Sequence, residues 1–205
     1  MSLPALKPDP AYLEAFATIM SRLGRALASG ARSGPVKVCV AGGAAFHFYT
    51  GARMSRDIDA RVMARVLLDP ADLQVAYRDV DGHARLLYFD TQYNDSFALL
   101  HADAYDAARP VALDGVDSEV IDVRLLTPLD LAVSKLSRFN DQDQEDIRIL
   151  ARSNLIEATA VRRRAEEALP DYVGNLPRIQ NTIDIATRLV MKEAGGKRAR
   201  KGSRR

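Results

Sequence analysis

Residues 36–62 read VKVCVAGGAAFHFYTGARMSRDIDARV, and the fold turns on how that stretch divides. Val36–Val40 is rich in β-branched residues and reads as a buried strand. Gly42-Gly43 breaks the strand, and Ala44–Tyr49 reads as a short helix that runs out before Gly51. Ile58, Ala60 and Val62 then alternate with polar residues, which predicts a second strand over Asp57–Val62. On such a strand Asp57 and Asp59 project from one face while Ile58 points into the core. Like charges that close repel, and burying them is costly unless a cation compensates. Paired carboxylates suit a hard divalent cation such as Mg²⁺, whose shell is completed by substrate phosphates. Upstream, the strand–Gly-Gly–helix start sets backbone N–H groups where an anion can approach with no Cβ in the way. The pattern is not GxGxxG, so a dinucleotide fingerprint is absent. A phosphate cradle ahead of a carboxylate pair describes a site for a metal-bound triphosphate.

Outward from this stretch, Tyr12, Phe16, Ile19, Met20, Leu23 and Leu27 recur at helical spacing, predicting an amphipathic helix from Pro10 to about Ser29. Asp69-Pro70 opens a short helix with Asp69 as N-cap. Arg85–Asp90 and Ser96–Asp103 read as strands joined by TQYND, and Pro110–Leu113 with Glu119–Arg124 as a hairpin around DGVDS. Thr127 is a good N-cap with Pro128 at N1 and Asp130 at N3, and helices follow at about 128–139, 142–152, 157–169 and 176–193. Strands first and helices later make the fold class α+β: a short mixed sheet flanked by helices, then a C-terminal helical bundle. The expected division is a core with its N-terminal helix over 1–126, a helical region over 127–195 and a basic disordered tail over 196–205.

The 205 residues suit one domain with a helical appendage, and no apolar run reaches the roughly 18–20 residues of a membrane span. The start, MSLPALKPDP, lacks the basic and apolar regions of a secretory signal, and the single cysteine, Cys39, excludes an intramolecular disulfide. The expected setting is cytoplasmic, with no membrane partner. Six Lys or Arg fall in the last ten residues with no acid, leaving 23 basic against 27 acidic residues, a net −4, over 1–195. Such a tail either contacts nucleic acid through phosphates or simply solubilises the chain.

The text GGAA followed by RMSRDID resembles the nucleotidyltransferase motif of the DNA polymerase-beta superfamily, in which a glycine turn precedes a D-h-D strand. It is most similar to the AbiEii-like nucleotidyltransferases of bacterial toxin–antitoxin and phage-defence systems. Their later lysine and acidic positions correspond to DLAVSKLSRFNDQDQEDI. The resemblance spans about Val36–Leu150. It implies a nucleotidyltransferase fold in which Gly42 and Gly43 contact an NTP and Asp57 and Asp59 hold one or two Mg²⁺ ions. A third carboxylate would complete the metal site and take the acceptor's proton; Asp103 is the preferred candidate, with Asp106 and Asp122 as alternatives. Lys135 would meet nucleotide phosphate, and Asp146 would fill the later acidic position with Arg138 nearby. The reaction implied moves a nucleoside monophosphate from NTP to a hydroxyl of tRNA or protein, and a toxin of this kind would have a cognate antitoxin. Ala44 departs from the usual Ser or Thr, so a catalytically degenerate nucleotide- or RNA-binding protein is the alternative.

Other polar residues have two readings each. Ser55 and Arg56 join the nucleotide contacts, while Arg53 and Arg56 either neutralise phosphate or pair with acids. His47 reads as a local hydrogen-bonder, and His101 as a neighbour supporting Asp103. Arg162, Arg163 and Arg164 form a basic run that either binds RNA or is a charged surface. With three histidines and one cysteine, a zinc site is not expected.

Overall fold

The computed structural model describes residues 4–28, 34–64 and 69–202. The chain forms two compact units, one of residues 1–93 with 108–126, the other of residues 94–107 with 127–205.

The first unit is mixed α/β. Helix α1 (Pro10–Ala28) leads into β1 (Val36–Val40) and then α2 (Gly42–Thr50). The expected Asp57–Val62 strand is present as two pieces, β2 (Asp57–Ile58) and β3 (Ala60–Val62), divided at Asp59. A 3₁₀ turn at Pro70–Leu73, capped by the Asp69 side chain, precedes β4 (Gln74–Arg78) and β5 (Ala84–Phe89). Strands β6 (Arg109–Pro110) and β7 (Ile121–Leu125) form the hairpin around residues 111–120. β1 lies between β3, antiparallel, and β7, parallel, in a sheet ordered β3-β1-β7-β6. A second sheet is ordered β2-β5-β4, with β2 and β5 parallel and β4 and β5 antiparallel. One strand thus feeds two sheets, and Asp59 is the corner between them.

The core of this unit takes Phe16, Ile19, Met20 and Leu23 from α1, Phe46 and Phe48 from α2, and Ile58 and Leu87 from the second sheet, all essentially inaccessible. Phe16 and Phe48 meet edge to face at 4.9 Å between centroids. Each such ring contributes roughly 1.5–3 kcal/mol by leaving water. Cys39 is buried in the middle of β1, where it packs as a small apolar residue.

The second unit is helical: α3 (Pro128–Ser134), α4 (Asp141–Arg152), α5 (Ala158–Ala168) and α6 (Leu176–Gly202). Thr127 caps α3, its hydroxyl accepting from the Asp130 amide at 3.1 Å. Asn140 and Asp143 form a reciprocal capping box on α4.

Three expectations are corrected. Ser96–Asp103 is not a strand: the Asn94 carboxamide takes the Ser96 amide, the Asp95 carbonyl takes the Ala98 amide, and Phe97 is 70% exposed. Side-chain acceptors at Asn and Asp favour turns over a ladder, and here they prevail over the apolar run FALL. α3 ends at Ser134 rather than near 139: the Leu136 amide tightens onto the Val133 carbonyl at 3.0 Å, residues 135–138 run on as turns, and Phe139 with φ +50° leads into Asn140, which caps α4. α6 continues to Gly202, through most of the tail expected to be disordered, since adding turns to an existing helix avoids the nucleation cost. The rest of that tail, 203–205, lies outside the described residues, as does the end of the first predicted helix at Ser29.

Candidate active site

The glycine turn and the carboxylate pair meet at the sheet corner. Because β1 and β3 pair antiparallel with Val40 opposite Ala60, Ala41 falls opposite Asp59 and donates its amide to the Asp59 carbonyl at 2.7 Å. The next residue, Gly42, has φ +54°, a conformation that L side chains rarely adopt. A Cβ there would collide with the Asp59 carboxylate. A Cβ on Gly43 would fall 2.8 Å from the Ser55 β-carbon and 3.2 Å from an Arg53 guanidinium nitrogen. Both glycines therefore make room for the acidic segment. α2 begins here with no side-chain cap, so its first amides and its positive dipole end face the corner.

Ser55 donates its hydroxyl to Asp57 and is itself nearly buried, which fixes one oxygen of that carboxylate. The Arg53 guanidinium sits over the Phe46 ring, 5.5 Å from its centroid, bringing a cation beside the N-terminus of α2. Arg56 is exposed, and its carbonyl accepts from the Tyr88 amide. Ala44 is fully buried, pointing into the core.

The backbone places a further acidic residue next to Asp59, one the sequence reading did not single out. β2 and β5 pair with Asp57 opposite Tyr88 and Ile58 opposite Phe89. Laterally paired residues share a face, so Ile58 and Phe89 are both buried while Asp57 and Tyr88 lie on the other side. One residue on, the Asp90 amide donates to the Ile58 carbonyl at 3.1 Å, which sets Asp90 beside Asp59 on that outer face. Its carboxylate also takes the Gln92 amide at 2.8 Å. The visible signal was an apolar run, LLYF, ending in an acid; the parallel pairing that gives it meaning is not encoded locally.

Two aromatic or imidazole groups support the corner. His47 is buried; its Nε2 accepts from the Asp9 amide and its Nδ1 faces the Ala52 carbonyl, each at 3.0 Å, which fixes the neutral tautomer. Burial lowers its pKa, against the opposing pull of the Ala52 hydrogen bond and the Asp9 charge. It is a structural tie, as its sequence position suggested. Tyr12 stacks edge-on to His47 at 4.6 Å, and its buried hydroxyl has no hydrogen-bond partner among the described residues. Burial first, then Tyr77, Asp57 and Asp59, push this phenol up, so it stays protonated in the field of the acid pair.

In the second unit, Lys135 follows α3 and is 7% exposed. Its ammonium lies 2.7 Å from Asp146 Oδ2 and 3.4 Å from Asp143 Oδ1. Arg138 clasps Asp143 with Nε and Nη2, each at 2.8 Å, and Gln142 donates to Asp146 at 2.9 Å. Burial would raise the Asp143 pKa, but Arg138 and Lys135 outweigh it and hold it low. This network ties α3 to α4.

Asp103 sits in a turn of the same unit. Its carboxylate accepts from Arg164 at 2.5 Å and pairs with His101 at 2.8 Å, and the Arg164 bond holds its pKa low. Asp106 lies in the same run of turns, with its amide on the Asp103 carbonyl. Asp122, in β7 of the first unit, is held by Arg124 at 2.7 Å. The basic run at 162–164 is neutralised by neighbours: Arg162 by Glu166 and Asp184, Arg163 by Glu167 at 3.9 Å, and Arg164 by Asp130 and Asp103.

Among the described residues, one group of three metal-ligating side chains has its ligand atoms within 4.8 Å of one another: Asp79, Asp81 and His83, in the β4–β5 turn. The group could hold a cation, but Asp79 already takes the Asp81 and His83 amides and is neutralised by Arg85 at 2.8 Å. It staples the hairpin at the end of β5 remote from Asp90.

A glycine-led helix end set against a D-h-D corner of a small mixed sheet fits the nucleotidyltransferase motif that the sequence resembles. The chain belongs to the family described as nucleotidyltransferase of unknown function (DUF6036), whose sequence profile matches residues 21–184. No curated protein and no solved structure matches the chain. No helix among the described residues is long and apolar enough to cross a membrane.

Proposed function

We propose that this nucleotidyltransferase moves a nucleoside monophosphate from an NTP to a hydroxyl acceptor, with Asp57 and Asp59 holding Mg²⁺. The observation that carries this reading is the collision a Cβ on Gly42 would make with the Asp59 carboxylate. It puts the bare helix N-terminus of α2 in direct contact with one carboxylate of the acidic pair, the helix end suited to phosphate and the carboxylate to the phosphate's metal. The donor set fits a hard divalent cation: carboxylate oxygens with no thiolate or imidazole. When bound, the metal would neutralise charge on the phosphates and lower the pKa of the acceptor hydroxyl.

The remaining roles follow from position. The amides of Gly42 and Gly43 cradle phosphate oxygens, and Arg53 adds a charge beside them. Ser55 orients Asp57, while the exposed Arg56 is available to the triphosphate. Asp90, next to Asp59 along the backbone, takes the role of third carboxylate for which the resemblance favoured Asp103, whose carboxylate Arg164 and His101 already hold. Lys135 and Asp146 are assigned to nucleotide contact by resemblance alone; within the second unit they form an ion pair with each other. Little covalent chemistry is required of the protein, because positioning and charge neutralisation dominate phosphoryl-type transfer.

The finer reading is an AbiEii-like toxin that modifies tRNA or protein and is restrained by an antitoxin. The alternative is a degenerate nucleotide- or RNA-binding protein, suggested by Ala44. Its burial weighs against that alternative, since a side chain at this position faces the core rather than the phosphates. Mn²⁺ binding followed by electron paramagnetic resonance tests the metal site. Addition of NTP should increase Mn²⁺ uptake by wild type and not by Asp59→Asn. Equal uptake by both proteins would remove Asp59 from the site.

A further inference from the structure

Strand β4 is the outer strand of the second sheet, and among the described residues its far edge carries no partner strand. Hydrogen bonding alternates along the β4–β5 pair. The Asp79 amide donates to the His83 carbonyl at 3.0 Å, so Tyr77 and Val75 also turn their amides and carbonyls toward β5. Gln74, Ala76 and Arg78 therefore turn theirs to the open edge. The Arg22 guanidinium donates to the Gln74 carbonyl at 3.0 Å, which agrees with that direction. Among the described residues nothing bonds to the Ala76 or Arg78 backbone on that side.

Open edges are usually blunted by proline, lysine or a bulge, because their unpaired groups recruit further strands. The β4 sequence QVAYR has neither proline nor lysine, and its unbroken register with β5 leaves no bulge. Both ends of the edge are fixed. Arg22 ties the Asp72 and Gln74 carbonyls to α1, and Asp79 with Arg85 staples the turn after Arg78. The edge is thus held extended before anything docks, which lowers the ordering cost of pairing. The outer face beside it is apolar: Ala76 lies opposite Leu86, which is 44% exposed, and the exposed Tyr88 follows on β5.

The sequence of β4 complements itself. In an antiparallel pair of two copies with Ala76 opposite Ala76, Arg78 of each copy faces Gln74 of the other, a cation against an amide oxygen. The exposed Asp72, two residues before Gln74, brings an opposite charge to the same end. Beside its bond from Arg22, the Gln74 carbonyl keeps a second lone pair for the Arg78 amide. Leu86 and Ala76 of one copy then continue into Ala76 and Leu86 of the other as one apolar row. A register that set Arg78 against Arg78 would oppose like charges instead.

We propose that β4 is a homodimerisation edge: two copies of this chain join β4 to β4, antiparallel about Ala76, into one continuous sheet ordered β2-β5-β4-β4-β5-β2. The two-fold axis stands perpendicular to that sheet, so both Asp57 side chains lie on its same face, roughly 24 Å apart across the strands. The proposal does not depend on nucleotide transfer.

Sedimentation velocity of the full chain over rising concentration tests the edge. Wild type should pass from monomer to dimer, and Ala76→Lys, which opposes two like charges at the axis, should weaken dimerisation about tenfold or more. Ala76→Pro should do the same by removing the outward amide. That amide makes no bond to β5, so the ladder survives and circular dichroism should match wild type. A short bismaleimide should link Ala76→Cys copies to each other and leave Arg78→Cys copies unlinked, since the register sets the two Arg78 positions at opposite ends. The native Cys39 is buried and should not react. A wild type monomeric up to about 1 mM, a dimer that both folded variants retain, or equal linking at 76 and 78 overturns the proposal.

Discussion

Gly42 concentrates the site's demands in one residue. Its positive φ and its contact with the Asp59 carboxylate are independent reasons for lacking a side chain. Gly42→Ala must strain the backbone, at about 1–3 kcal/mol, and displace Asp59. Urea denaturation should register that loss, and calorimetry should register weakened NTP binding; unchanged values in both would mean the turn is free to relax. His47 makes a separate statement about pH. Its folded pKa lies below the ordinary 6.5, so the unfolded chain takes up a proton that the folded chain refuses. Stability from this residue is therefore present above pH 6.5 and lost as pH falls below it. Denaturation midpoints at pH 7.5 and 5.5 should fall further for wild type than for His47→Gln, which cannot titrate; parallel falls would place the effect elsewhere.

At the scale of elements, legibility followed how local each cause was. β1 was readable because Val36, Val38 and Val40 are buried and β-branched, and α1 because its apolar positions keep helical spacing. The caps at Asp69 and Thr127 were readable because each is a short-range side-chain bond. The division of the Asp57–Val62 strand at Asp59 was not, since it depends on which partner each half finds across the sheet. For the same reason the place of Asp90 beside Asp59 was not visible, although the strand ending in it was expected. Lys135 shows the converse: its position in the sequence was clear, but its enclosure by Asp143 and Asp146 was not. Removing one partner from a buried ion network is costly because the opposite charge loses its compensation; here Asp146 loses the Lys135 ammonium, while Arg138 still holds Asp143. Lys135→Met should destabilise the protein by about 3–5 kcal/mol in thermal or urea unfolding. A variant of wild-type stability that binds NTP poorly would instead make Lys135 a phosphate contact first and a structural tie second.

For the whole molecule, the family match over residues 21–184 takes in the glycine turn, the carboxylate corner and the Lys135 network together. Chemistry-bearing groups are spread across both compact units, yet the oxygen ligands proposed for the metal all lie in the first. Basic side chains of the second unit at 162–164 are neutralised by neighbouring acids. The central claim is that the Asp57–Asp59 corner transfers nucleotide. Its most direct test is incubation of the full chain with each α-³²P-labelled NTP, Mg²⁺, total RNA and cell protein, followed by separation of labelled macromolecules. The account predicts label on an acceptor with at least one NTP, abolished by EDTA and by a folded Asp57→Asn or Asp59→Asn protein. Transfer that survives either substitution, or none from wild type with any of the four NTPs, would contradict it.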